Sequence, residues 1–223
     1  MCFKKPVVLP VSIPLIYYGL FDGNEAQQII AAHPKYLVSN SPAGPWKGDA
    51  DIKKFTDAGI KYFEYLDGGY EGTLAGDIPN DLQSNLKNIQ AVAAAGGYGF
   101  FLDQVSSNPD IDGLAYLNSL QNEAHRLKLR VVFNVGVSEW ADTLMSLCDF
   151  VNSSEEWQGE ALSESQVLYR SRTWLLTQGV NDANTAANLT ETALSKGIDA
   201  HYACDRYTVL PAWLADYVAL LKS

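Results

Sequence analysis

Short apolar stretches alternate with longer amphipathic ones along the whole chain, and this alternation constrains the fold more than any single motif. The apolar stretches read as strands over 12–18, 36–40, 60–67, 98–103, 130–134, 149–153, 173–178 and 199–203. Between them, helical spacing predicts helices over 25–32, 49–58, from Asn80 or Asp81 to Gly96, along the Leu114, Leu117, Leu120, Ala124 and Leu127 stripe, over 140–147, 165–170 and 183–196, and onward from Pro211. Strict alternation implies parallel strands joined by right-handed crossovers. The stretch from Tyr98 to Leu102 is almost wholly apolar, the kind of strand a parallel sheet buries on both faces. Eight such units in 223 residues fit a single-domain (β/α)8 TIM barrel, a parallel eight-stranded barrel spanning 1–223. An open doubly wound sheet is the competing α/β arrangement. It usually carries a glycine-rich phosphate turn after its first strand, and Tyr18-Gly19-Leu20-Phe21-Asp22-Gly23 is not one.

Composition narrows the function. Hydrophobic residues make up 47% and charged residues 19%, ordinary for a chain with a sizeable core. No apolar run approaches the roughly 20 residues of a membrane span. With 26 acidic against 16 basic residues the net charge is −10, so nucleic acid and anionic membrane surfaces are not expected partners. Cys2, Cys148 and Cys204 are too scattered for a zinc site or a disulfide framework. Met1 to Pro6 holds two lysines but no apolar stretch of signal-peptide length.

In a barrel, chemistry sits at the C-terminal strand ends. Those ends carry Tyr17, Tyr18 and Asp22, then Asn40, Tyr65 and Asp67, then Asp103, Gln104 and Asn134. Glu155, Glu156, Trp157, Gln178, Tyr202 and Asp205 complete the rim. Carboxylates, amides and aromatic rings with hardly a cation are what a sugar site needs: rings stack on pyranose faces, amides bind hydroxyls, and paired carboxyls do acid–base work. Asp103 is the sharpest signal, a carboxylate ending the apolar strand Gly99-Phe100-Phe101-Leu102. Its plain alternative is a helix-capping or loop aspartate. Glu155 and Glu156 follow the sixth strand in the same way, and one of them is expected in solvent.

Other chemistries lack their residues. A Schiff-base aldolase needs a lysine well inside a strand, whereas Lys61 stands at the N-terminal end of the third. Metal hydrolysis needs clustered ligands, but His33, His125 and His201 are dispersed; His201 reads as a packed or hydrogen-bonding residue. No metal or cofactor is expected. No Gly-x-Ser-x-Gly elbow occurs, and the glycosylation-like triplets at Asn152 and Asn188 are matches that chance supplies freely.

The chain resembles the spherulin-4-like glycosidases and the related endo-α-1,4-polygalactosaminidases. Ile13-Pro14-Leu15-Ile16-Tyr17-Tyr18 is similar to the family's first strand, followed by Ala32-His33-Pro34. Asn40-Ser41-Pro42-Ala43-Gly44-Pro45 resembles its Asn-Pro-x-x-Gly-Pro loop. Gly99-Phe100-Phe101-Leu102-Asp103-Gln104 resembles its Gly-x-Phe-Phe-Asp-Glu strand, and Asn134-Val135-Gly136 its Asn-Pro-Gly. Asp149 and Glu155 reproduce the sixth-strand aspartate and the glutamate six residues on. The likeness spans strands one to six, about two thirds of the chain. It implies catalytic positions at Asp103 and Glu155, an α-linked galactosaminoglycan-like substrate, and an extracellular or cell-surface setting. Gln104 departs from the spherulin-like glutamate, while the polygalactosaminidase branch tolerates an amide there.

The expected activity is therefore an endo-acting glycoside hydrolase on a polysaccharide or oligosaccharide. Glu155 is the expected acid, kept protonated by burial beside rings such as Trp157, and Asp103 the nucleophile or base. Tyr65, Asn40 and Asn134 are expected on sugar hydroxyls, Tyr18, Tyr70 and Trp157 as stacking faces, with Asp67, Gln104, Gln178 and Tyr202 also lining the site. Two other readings stand: a carbohydrate-binding pseudoenzyme in which Gln104 marks lost catalysis, and a small-metabolite lyase or isomerase barrel.

Overall fold

The computed structural model describes residues 13–17, 23–39, 49–69, 82–207 and 209–222. Eight strands form one sheet: β1 (Leu15–Tyr17), β2 (Tyr36–Ser39), β3 (Lys61–Asp67), β4 (Gly99–Asp103), β5 (Arg130–Asn134), β6 (Phe150–Asn152), β7 (Thr173–Thr177) and β8 (Ala200–Ala203). Each pairs in parallel with the next, and β8 returns beside β1, so the sheet is a nearly closed barrel. Seven α-helices alternate with the strands among the described residues: α1 (Gly23–Ala32), α2 (Asp49–Asp57), α3 (Leu82–Ala94), α4 (Ile111–Arg126), α5 (Glu164–Leu168), α6 (Ala183–Ser195) and α7 (Leu214–Leu221). This is the (β/α)8 TIM barrel that the alternation predicts.

Two connections differ from expectation. The helix expected over 140–147 is a 3₁₀ turn at Asp142–Ser146. Ala141 N–H is tied to Ser107 O (2.8 Å) and Asp149 N–H to Val131 O (2.8 Å), leaving too little chain between them for a stable α-helix. The last helix begins at Leu214, one turn after Pro211, whose carbonyl accepts the Leu214 N–H (3.0 Å). The strand expected at Asp149 starts one residue later, and the Asp149 carboxylate is engaged at the barrel's N-terminal end with Arg130 Nη1 (2.6 Å) and the Val131 N–H (2.9 Å).

Alternate side chains fill the barrel. Its N-terminal half is plugged by rings: Trp174 stacks on Tyr36 (4.8 Å between centroids) and meets Phe63 and Phe150 (both 5.3 Å). Beneath them Asp199 accepts from Trp174 Nε1 (3.1 Å) and Lys35 Nζ (2.8 Å). A second tier carries Phe101, with Tyr17 at 5.2 Å and Tyr65 at 6.3 Å. Two ring tiers close the lower barrel, so polar chemistry is left to the C-terminal end. Asn152 lies fully buried within the strand layer, which removes the glycosylation reading of its triplet.

Candidate functional site

Asp103 ends β4 half-buried and collects three donors. Tyr65 donates its hydroxyl to Oδ2, while the Gln104 N–H (2.8 Å) and Asn134 Nδ2 (2.5 Å) both donate to Oδ1. Two backbone features hold it there. Gly68 passes so close that an added Cβ would lie 2.6 Å from the Asp103 carbonyl oxygen, and its N–H bonds that same oxygen (2.9 Å). Gln104 takes φ +55°, the left-handed region that costs a non-glycine residue about 1–2 kcal/mol. Such strain persists only where surrounding contacts over-determine it.

Glu155 reaches the same place from the segment after β6. Its Oε1 accepts from Asn134 Nδ2 (2.7 Å), so one amide nitrogen spends both protons on two carboxylates. Asp103 Oδ1 and Glu155 Oε1 therefore stand no further apart than those two bonds end to end, about 5 Å. The amide's direction is dictated: its nitrogen faces the carboxylates, and its oxygen accepts from Asn152 Nδ2 (2.7 Å). Asn152 Oδ1 is then left buried without a donor among the described residues, a cost of about 1–3 kcal/mol carried by the site.

Burial holds the Glu155 carboxyl above its ordinary value of 4.5; the Asn134 hydrogen bond pulls it down, while the Asp103 and Glu156 charges push it up. The rings beside it are Tyr17 and Tyr207, which meet edge to face at 5.3 Å; the Tyr207 hydroxyl donates to the Glu155 carbonyl oxygen. The phenols of both are raised, chiefly by burial and then by the carboxylates. Glu156 faces solvent, as expected for one of the pair.

Several expected site residues stand elsewhere or act differently. Trp157 is 1% exposed and packs with Leu175, Ala193 and Ile198 between the strands and α6, edge-on to His201 at 5.5 Å, so it offers no stacking face. Tyr202 is 1% exposed in the core cluster. Trp157 follows the bridge at Glu156 and belongs to no strand, while Tyr202, in register with Leu176, lies on the same inward face as Trp174 but is buried in the core. Asn134 spends its amide protons on carboxylates rather than on a sugar. Asp67 accepts the Gly69 N–H (2.9 Å) in the turn after β3, Gln104 is half-buried beside Asp103, and Gln178 is exposed at the end of β7. Tyr18, Asn40 and Tyr70 lie outside the described residues. Sequence reading missed Asn152 and Tyr207: the first looks like one more strand residue, and the second arrives from after β8. Lys61 stands where expected, its Nζ over the Tyr36 and Tyr98 rings at 5.4 and 5.1 Å, at the opposite end from the carboxylates.

No protein-family model matches the chain, and no curated protein matches it. Solved structures do. Aspergillus clavatus Sph3, in complex with GalNAc, superposes with a TM-score of 0.71 at 16% identity, covering 96% of this chain and 98% of that one. A chitinase from Chromobacterium violaceum gives 0.66 at 10% identity, covering 95% and 99%. A deoxyribose phosphate aldolase from Aeropyrum pernix gives 0.55 at 14% identity, covering 95% and 92%. At these identities the likeness establishes the barrel, and barrels carry many reactions.

Proposed function

We propose that this chain is a glycoside hydrolase using Asp103 and Glu155 on an α-linked, galactosaminoglycan-like polysaccharide. The observation that carries the reading is the pair of carboxylates bridged by a single amide nitrogen at the C-terminal end of the barrel. Burial favours the protonated form of Glu155, which suits it to protonate the leaving glycosidic oxygen from Oε2, the oxygen that Asn134 does not occupy. Asp103, held by three donors, attacks the anomeric carbon from the opposite side as the glycosidic bond breaks. Glu155, now ionised, takes a proton from the water that releases the sugar. Nearest carboxyl oxygens at most about 5 Å apart suit this two-step route with net retention, because direct attack by water needs the carboxyl groups about 6.5–9.5 Å apart.

The sugar class rests on the family resemblance in the sequence and on a solved barrel that holds GalNAc; the net charge of −10 favours a partly deacetylated, cationic polymer. The aldolase reading finds no support in Lys61, which lies at the wrong end. The test is incubation with α-1,4-galactosaminoglycan, counting reducing ends and following the first anomer by NMR. The wild type releases ends with retained configuration, and Glu155→Gln releases them about 10²–10⁴-fold more slowly. Equal rates remove Glu155 from the reaction. Binding without turnover in the wild type leaves a sugar-binding module instead.

A further inference from the structure

We propose that His201 is a positioning residue for Glu155, acting through Thr177 on the segment that carries the acid. This rests on the reading of Glu155 as the catalytic acid. Five buried groups form one chain. Thr177 donates its hydroxyl to the Trp157 carbonyl; His201 Nε2 lies 3.0 Å from Thr177 Oγ1; His201 Nδ1 lies 2.8 Å from Thr190 Oγ1; and Thr190 Oγ1 meets the Tyr217 hydroxyl. Thr177, Thr190, His201 and Tyr217 have no exposed surface, and Trp157 has 1%.

The direction of every bond follows from one end. A carbonyl only accepts, so Thr177 spends its single proton there and its oxygen can only accept from the imidazole. His201 Nε2 therefore carries the ring proton. Nδ1 is then a bare lone pair, Thr190 must donate to it, and Tyr217 must donate to Thr190. One neutral tautomer satisfies the whole chain, and the chain ties α7, α6, β8 and β7 to the backbone of Trp157.

That backbone belongs to a strip lying along the end of β7. Ser154 O accepts the Leu176 N–H (2.8 Å), Trp157 N–H donates to Leu176 O (3.2 Å), and Glu156 bridges Thr177 in antiparallel fashion. Glu155 sits inside this strip. Tyr207 holds its carbonyl from one side, and Thr177 fixes the strip two residues further on. His201 has no other polar partner among the described residues, so the imidazole's contribution is to turn the chain from donor to acceptor inside an apolar layer.

A glutamine reproduces that turn, because its amide nitrogen donates and its oxygen accepts across a similar span. A leucine does not. The test compares wild type, His201→Gln and His201→Leu by kcat, by KM, and by the titration of Glu155 followed by NMR with ¹³C-labelled glutamate, the resonance being assigned through Glu155→Gln. His201→Leu is expected to lose about 10- to 100-fold in kcat with KM changed less than about threefold. Its Glu155 titration moves down toward the ordinary carboxylate range. His201→Gln stays within about threefold of wild type and keeps the titration. Thr177→Val, which cuts the chain at its last bond, repeats the leucine result and serves if His201→Leu does not fold.

A folded His201→Leu with unchanged kcat and unchanged titration overturns the proposal. So does a His201→Gln that behaves like the leucine variant. If the wild type cleaves no glycoside, the proposed activity fails on its own, and the titration alone still decides whether His201 positions the carboxyl.

Discussion

At the scale of single residues, the site turns on the two-ended chemistry of an amide. Asn134 can serve Asp103 and Glu155 together only by presenting its nitrogen to both, and Asn152 pays for that choice with an unpartnered oxygen. Asn134→Ala removes the one contact that lowers the Glu155 pKa and leaves the Asp103 charge that raises it. The acid then stays protonated to higher pH, so the alkaline limb of the kcat/KM profile moves upward. Loss of the buried donor costs about 1–3 kcal/mol, read as a fall in Tm of several degrees. A limb that stays in place separates Asn134 from the acid. Asp103 was legible because a carboxylate ending an apolar strand is conspicuous; the amide bridge was not, since nothing along the chain says that residues 103, 134, 152 and 155 share one set of protons.

At the scale of elements, close approach between β3 and β4 places the nucleophile proposed at Asp103. Gly68→Ala forces a Cβ to 2.6 Å from the Asp103 carbonyl oxygen, where only backbone movement makes room. A cost of about 1–3 kcal/mol is expected, with a Tm lowered by about 2–4 °C for each kcal/mol and kcat reduced beyond what the stability loss explains. Gly23→Ala is the contrasting case. Its Cβ meets nothing within 4 Å among the described residues and it lies in the first turn of α1, so that variant is expected to gain about 0.5–1 kcal/mol. Thermal melts of the pair separate a packing glycine from an incidental one. Strand identities were legible from apolar runs, but the 3₁₀ turn at Asp142–Ser146 was not, because its form follows from where the two flanking backbone contacts lie.

At the scale of the molecule, two global properties are measurable. Burial pushes the His201 imidazole down to about 3 from 6.5, so the unfolded chain takes up a proton that the folded one refuses. Stability is complete above about 6.5 and drains as pH falls toward 3, at about 1.4 kcal/mol for each pH unit. Melts of His201→Gln should match wild type near pH 7.5 and exceed it at pH 4; parallel curves at both pH values would assign acid unfolding elsewhere. The net charge of −10 makes a second prediction: KM for a partly deacetylated polymer rises between about 0.05 and 0.5 M salt, as screening tightens to a few ångströms, whereas KM for the fully N-acetylated polymer does not. Periodicity and chain length alone determined that this chain forms a barrel with its candidate carboxylates at one rim, because burying eight apolar strands between helices leaves few alternatives. Only the tertiary structure decided that Trp157 and Tyr202 are buried, that Asn134 serves carboxylates, and that His201 links the outer helices to the segment carrying Glu155. Those outcomes depend on which faces meet in space, and hydrogen-bond direction is settled only when every donor and acceptor in a buried chain is in place.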